Sequence, residues 1–183
     1  MTKQLIADCF IDQLETTALS KITVKSICDS AEINRATFYR YYANPRDLFD
    51  SIERHFFDQV KDLTVKAIRS NADPDRFKEA LMNLLVFYQR NSRMILAVRA
   101  QGEDDFSAKL MRAMYSYMVS ASPHLTYENL SDEENGWLYQ FMASGVASMV
   151  FSWLESDMKA PIETVADFLL ACSEGIHSRI LKR

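Results

Sequence analysis

The chain has 183 residues, 48% of them hydrophobic and 25% charged, with only four glycines and four prolines. The apolar share excludes a disordered chain, and the scarcity of turn formers excludes most sandwiches and barrels, leaving an all-α fold of one or two domains. The net charge of −4 excludes a uniformly basic nucleic-acid binder but hides an uneven distribution. Between Lys21 and Arg46 stand five basic residues and two acids, whereas residues 71–183 hold 11 basic and 15 acidic residues. A basic island on an acidic body is the outline of a protein that touches phosphate at one end. The three cysteines, Cys9, Cys28 and Cys172, form no CxxC pair, which argues against a zinc ribbon or disulfide scaffold and for a reducing compartment. The opening MTKQLIADCF lacks the pattern of a secretory signal, so a cytoplasmic location is expected.

Residues 3–16 predict a first helix, with Leu5, Ile6, Cys9, Phe10 and Leu14 on one face. Two very short helices follow, over 24–30 and 35–41, with Thr23 and Asn34 in the N-cap positions and the turn 31–34 between them. Helices this short are marginal alone, so they must pack crosswise on the first through Val24, Ile27, Ile33 and Phe38. The result is the outline of a helix-turn-helix. On a wheel of 100° per residue, Phe38 and Tyr42 face inward while Ala36, Thr37 and Arg40 face out, flanked by Arg35 and Tyr39. Arginine can bond a guanine edge in two places, and threonine or alanine methyls can meet a thymine methyl.

Asn44-Pro45-Arg46-Asp47 then opens a long helix reaching about residue 70, with Leu48, Ile52, Phe56, Val60, Leu63 and Ala67 as its apolar stripe. Asp73-Pro74 starts the next, striped by Phe77, Leu81, Leu84 and Tyr88, and Leu110, Met114 and Tyr117 mark another. Ser131 and Glu134 match a capping box. Behind it, residues 135–154 carry no charge, long enough to span a bilayer. Gln140, Ser144, Ser148 and Ser152 form one polar stripe, however, and Ala143, Gly145 and Ala147 allow close approach, as in a buried or interface helix. Ile162, Val165, Leu169, Cys172, Ile176 and Ile180 line the last helix. About nine helices and no sheet are predicted.

The run ITVKSICDSAEINRATFYRYYANPRDLFDSI, residues 22–52, resembles the DNA-binding domain of the TetR family of bacterial transcriptional regulators. The resemblance rests on the Ile-Thr-Val opening, Ile27, Ala31, Ile33, Thr37-Phe38-Tyr39, Tyr42 and Asp47-Leu48. More loosely, residues 137–176, with Gly145, Trp153 and Pro161, are similar to the last two helices of such proteins, which form a four-helix dimer interface. The resemblance implies a DNA-binding domain over 1–46 and a helical ligand-binding and dimerisation domain over 47–183. It sets Arg35, Ala36, Thr37 and Arg40 against bases and Lys25 near a base or phosphate. Thr23, Tyr39, Tyr41 and the start of the connecting helix would meet phosphates. Two positions depart from the family pattern: Glu32 replaces a turn glycine, and Pro45 replaces a phosphate-binding lysine, for which Arg46 is the expected substitute.

Function then reads as a homodimeric DNA-binding regulator, a repressor released from a pseudo-palindromic operator by a small apolar or amphipathic ligand. The alternative is a protein with a weakened DNA-binding domain that acts through a protein partner. Ligand candidates are Phe87, Tyr88, Met94, Met114, Tyr117, Met118, Phe141 and Met149, because methionines and aromatics suit an adaptable apolar cavity, with Arg99 and His124 as polar contacts. The connecting helix, about 38 Å long at 1.5 Å per residue, would transmit a ligand-induced tilt. No enzyme motif occurs: His55, His124 and His177 have no ligand spacing, and no GxSxG, P-loop or HExxH is present. No cofactor or metal is expected. The acidic runs 103–105 and 132–134 read as solvated charge.

Overall fold

The computed structural model describes residues 2–70, 73–102, 106–121, 127 and 130–180. Among them are nine α-helices and no strand: α1 (Thr2–Leu14), α2 (Val24–Ser30), α3 (Arg35–Tyr39), α4 (Pro45–Arg69), α5 (Pro74–Arg90), α6 (Ser92–Gln101), α7 (Phe106–Ala121), α8 (Asp132–Glu155) and α9 (Ile162–Ile180). One turn of 3-10 helix, Leu19–Lys21, lies between α1 and α2. The chain divides into two compact units: residues 1–58 with 91–106, and residues 59–90 with 107–183.

The first unit is a three-helix headpiece to which the opening turns of α4 and all of α6 are added. Ile6, Phe10, Leu14, Ile27, Phe38, Leu48 and Ile95 are almost wholly excluded from solvent and make its core. Phe10 meets Phe49 at 6.4 Å between ring centroids, and Phe56 meets Phe106 at 5.6 Å. Leu5, assigned by its spacing to the inner face of α1, is instead 46% exposed. The buried seam of α1 runs through Ile6, Cys9, Phe10 and Leu14, and Leu5 falls just beyond its edge.

Polar groups tie α6 to α1. The Gln101 amide donates to the Leu14 carbonyl at 2.8 Å, and its oxygen accepts from the Leu19 N–H at 2.9 Å. The Arg93 guanidinium spans Asp12 and Glu15, the latter at 2.7 Å, and these carboxylates hold it firmly protonated. Gly102, at φ 65°, ends α6 in a left-handed cap.

In the second unit, α5 packs chiefly on α9 and more lightly on α8. Leu85, Tyr88, Leu110, Leu154 and Ala166 are buried there. Lys78 of α5 reaches Asp167 of α9 at 2.6 Å. The turn after α8 holds two successive left-handed residues, Asp157 and Met158, and is closed by the Trp153 indole donating to the Ala160 carbonyl at 2.9 Å. Ala143 and Ala147 face inward from α8 without exposure, whereas Trp137 and Phe141 stand 64% and 67% exposed, joined by Phe168 of α9 at 60%. Cys172, assigned to the inner stripe of α9, is exposed; Val165, Ala166 and Leu169 carry the packing. No helix among the described residues is long and apolar enough to cross a membrane.

Candidate nucleic-acid interface

Side chains build the headpiece at each short helix. The Thr23 hydroxyl accepts the Ser26 N–H at 3.0 Å while the Ser26 hydroxyl accepts the Thr23 N–H at 3.2 Å, a reciprocal cap on α2. Ser26 also donates to the Gln13 side chain at 2.8 Å, and Gln13 donates to the Ser26 carbonyl at 3.1 Å, pinning α2 to α1. Asn34 caps α3, accepting the Thr37 N–H at 2.7 Å and the Thr37 hydroxyl at 3.0 Å. Ile33 donates its N–H back to Cys28 at 3.0 Å, closing the turn, and Glu32 takes the left-handed conformation this requires, at φ 50°. Cys28 is buried beneath, and that burial pushes its thiol up, away from reactivity.

Five residues of α3 cannot hold an element in place by themselves, so its inner side decides its position. Phe38 is wholly buried and Tyr42, just beyond the helix, nearly so, with ring centroids 5.8 Å apart. Everything opposite is free to face solvent. Arg35, Ala36, Tyr39 and Arg40 are exposed, Thr37 and Tyr41 half-buried, and Thr23 and Lys25 exposed on α2 and its cap. An Arg40 amine lies 3.5 Å from the Thr37 hydroxyl, so two of the base-reading candidates adjoin.

The start of α4 is self-contained. Asn44 accepts the Asp47 N–H at 2.9 Å and Asp47 accepts the Ala43 N–H at 2.8 Å. Arg46 is exposed, pairs with Asp50 at 2.9 Å and lies 5.2 Å over the Phe49 ring. One further cation was not among the sequence candidates. Lys3, in the first turn of α1, places its ammonium 5.6 Å over the Tyr41 ring, which also lies 5.7 Å from the Arg40 guanidinium. No local motif marks Lys3, because only the tertiary fold brings the start of α1 to this edge.

The ligand candidates separate. Tyr88 and Met114 are buried together in the second unit, hydroxyl to sulfur 3.9 Å, and burial pushes the Tyr88 phenol well up. Phe87, Tyr117 and Met149 are half-buried in the same unit, whereas Met94 belongs to the core of the first. Phe141 stands exposed on α8. The side chain of Met118, His124, and the acidic run 103–105 lie outside the described residues. Arg99 is half-buried on α6. No group of three or more His, Cys, Asp or Glu residues that could hold a metal occurs among the described residues.

A family model described as the C-terminal region of TetR transcriptional regulators matches residues 75–175. The chain belongs to the TetR family. Among TetR-family relatives, it is 30% identical over 91 residues to the dhaKLM operon transcriptional activator DhaS of Lactococcus lactis subsp. lactis (strain IL1403), a match covering half of this chain and 45% of that protein. Its fold matches a solved dihydroxyacetone kinase operon activator DhaS with a TM-score of 0.65 at 19% identity, covering 94% of this chain and 93% of that one. It also matches the regulator FadR of Bacillus subtilis in complex with stearoyl-CoA, with a TM-score of 0.61 at 15% identity over 92% and 95% of the two chains. The family and these structural neighbours are transcriptional regulators, not enzymes.

Proposed function

We propose that this TetR-family protein is a homodimeric, sequence-specific DNA-binding regulator that reads a pseudo-palindromic operator and is released from it by a small apolar or amphipathic ligand. The observation that carries the reading is the outward face of α3. Arg35 and Ala36 are exposed with Thr37 at their edge, on a five-residue helix that buries Phe38 on its other side, and Arg40 is exposed at its C-cap. Arg35 and Arg40 supply bidentate donors for guanine, and Ala36 and Thr37 supply methyl contacts. Thr23, Lys25, Tyr39, Tyr41 and Arg46 surround that face as phosphate contacts, and Lys3 extends it from α1.

The domain over 1–46 holds this reading face, and the remainder senses and dimerises. A signal needs a physical route to the headpiece, and two helices offer one. Helix α4 continues from one compact unit into the other, and α6 is clamped to α1 through Gln101 and Arg93. Because a dimer must present its two reading helices one DNA turn or a multiple apart, a small displacement of either helix misaligns both half-sites. The protein acts in the cytoplasm on this reading.

A second reading is favoured by Glu32, which brings a negative charge and a strained backbone beside the reading helix, and by similarity to a protein named an operon activator. On that reading the DNA-binding domain is weakened, and the protein activates through a protein partner. Fluorescence anisotropy with the chain's own upstream DNA and a scrambled duplex, near physiological salt, separates the two. Operator reading requires a preference for the native sequence that falls steeply with salt and disappears in Arg35→Ala and Thr37→Ala. Equal, weak binding to both duplexes, repeated after selection from random DNA, would overturn it in favour of the partner reading.

A further inference from the structure

We propose that a groove between α4 and α5 binds an organic anion with an apolar body, a carboxylate or phosphate monoester on an alkyl or aromatic framework. The groove has a volume of about 420 Å³, within the range of roughly 300–1,000 Å³ of small-ligand sites. Leu63 from α4 and Ala80, Val86 and Phe87 from α5 give it an apolar floor, all of them half-buried. Lys66 and Arg90 add two exposed cations, and Asn83 an amide that can donate to an oxygen.

Charge selects the occupant. No acid lines the groove, although the chain as a whole carries a net charge of −4. An adjoining depression of about 470 Å³ shares Lys66 and adds Lys61 and Arg69 against the single acid Asp62. Helix C-termini favour cations, which accounts for Lys66 and Arg69 closing α4 and Arg90 closing α5. That preference does not account for the apolar side chains left half-open beside them. Lys78 shows the contrast: on the same helix α5, its ammonium is already held by Asp167 at 2.6 Å, whereas Lys66 and Arg90 have no ion-pair partner among the described residues. Other faces of α5 are taken by α8 and α9, so the open strip suits a small amphiphile better than a partner helix. The inference deepens the ligand-regulated reading by naming the ligand's class, and it takes Phe87 as the one earlier candidate in contact.

The test uses the full-length protein without DNA and isothermal titration with decanoate, decyl phosphate and decanol below their aggregation concentrations. Both anions are expected to bind about tenfold or more tighter than the alcohol. Lys66→Gln combined with Arg90→Gln should remove that preference, while Lys78→Gln keeps it. Both replaced side chains are exposed, and an unchanged melting curve without ligand confirms that the variant folds. Absence of anion binding, equal binding of decanol, or undiminished anion binding by the double variant would overturn the proposal. Operator affinity measured with and without decanoate is a separate readout. Anion binding without DNA release supports the groove and overturns its inducer role, whereas anion binding by a protein that reads no operator supports the groove and overturns the regulator reading alone.

Discussion

Glu32 sits at φ 50°, where an L side chain costs about 1–2 kcal/mol that glycine does not incur. Glycine loses about 0.5–1 kcal/mol of that advantage through its freer unfolded chain. Glu32→Gly is therefore expected to raise the unfolding free energy by about 0.5–1 kcal/mol in a urea titration. It should also tighten operator binding, because a negative charge leaves the neighbourhood of α3. Tyr88 offers a test of burial. Its phenol is fully buried and its pKa lies above the ordinary value near 10. The folded state therefore holds the proton more tightly than the unfolded one, and the associated stability is complete below about pH 10 and lost as pH rises beyond it. Urea midpoints compared at pH 8 and near pH 11 should fall more for the native protein than for Tyr88→Phe. Both residues left a trace in the sequence: the missing glycine at 32 stood out against a motif, and the stripe of α5 put Tyr88 on the inner face, although the completeness of its burial depends on the helices packed around it.

At the scale of elements, caps made the helix starts legible. Thr23, Asn34 and Ser131 each accept the N–H three residues on, as their positions suggested, and the reciprocal bonds at Ser26 and Glu134 complete two capping boxes. Helix α6 was not legible in that way. Met94, Ile95, Ala97 and Val98 are all buried, so its apolar residues make no narrow stripe, and its N-cap Asn91 forms no side-chain cap bond. Arg93 and Gln101 both attach it to α1, and the Gln101 amide alone holds two backbone groups. Gln101→Ala leaves the Leu14 carbonyl and the Leu19 N–H without their partner, and should lower the unfolding free energy by about 1–3 kcal/mol in a urea titration. If α6 carries the signal to the headpiece, this variant should also change how strongly ligand alters DNA affinity, whereas Asn34→Ala should weaken DNA binding with or without ligand.

At the scale of the whole molecule, the exposed Trp137, Phe141 and Phe168 are the main unsolved cost, because large aromatics on two neighbouring elements leave apolar area in water. Exposed Gly145 and Gly175, with no atom within 4 Å of where a Cβ would stand, leave room for another backbone on the same two helices. A second copy packed there in a four-helix arrangement, as in the homodimer proposed above, would cover all of them. Phe141→Glu should shift the protein from dimer to monomer in sedimentation velocity at micromolar concentration. It should also lower operator affinity steeply, since each half-site would then bind alone. A dimer that survives this change would place the interface elsewhere.

Sequence alone determined the all-α class, the sites where most helices begin, and the face of α3 that points outward. Those properties rest on signals that act within one helical turn: a capping side chain, a repeat of apolar residues, a short motif at fixed spacing. Tertiary structure decided what depends on distant partners. Leu5 and Cys172 lie at the margin of their stripes, and whether such a position is covered depends on the helix opposite, which no local pattern specifies. Lys3 reaches Tyr41 only because the fold brings the start of α1 to the residues after α3, and Lys66 and Arg90 share a groove only because it brings α4 and α5 to one strip of surface. Periodicity fixes which way a side chain points from its own helix, and the packing of other helices fixes what it meets.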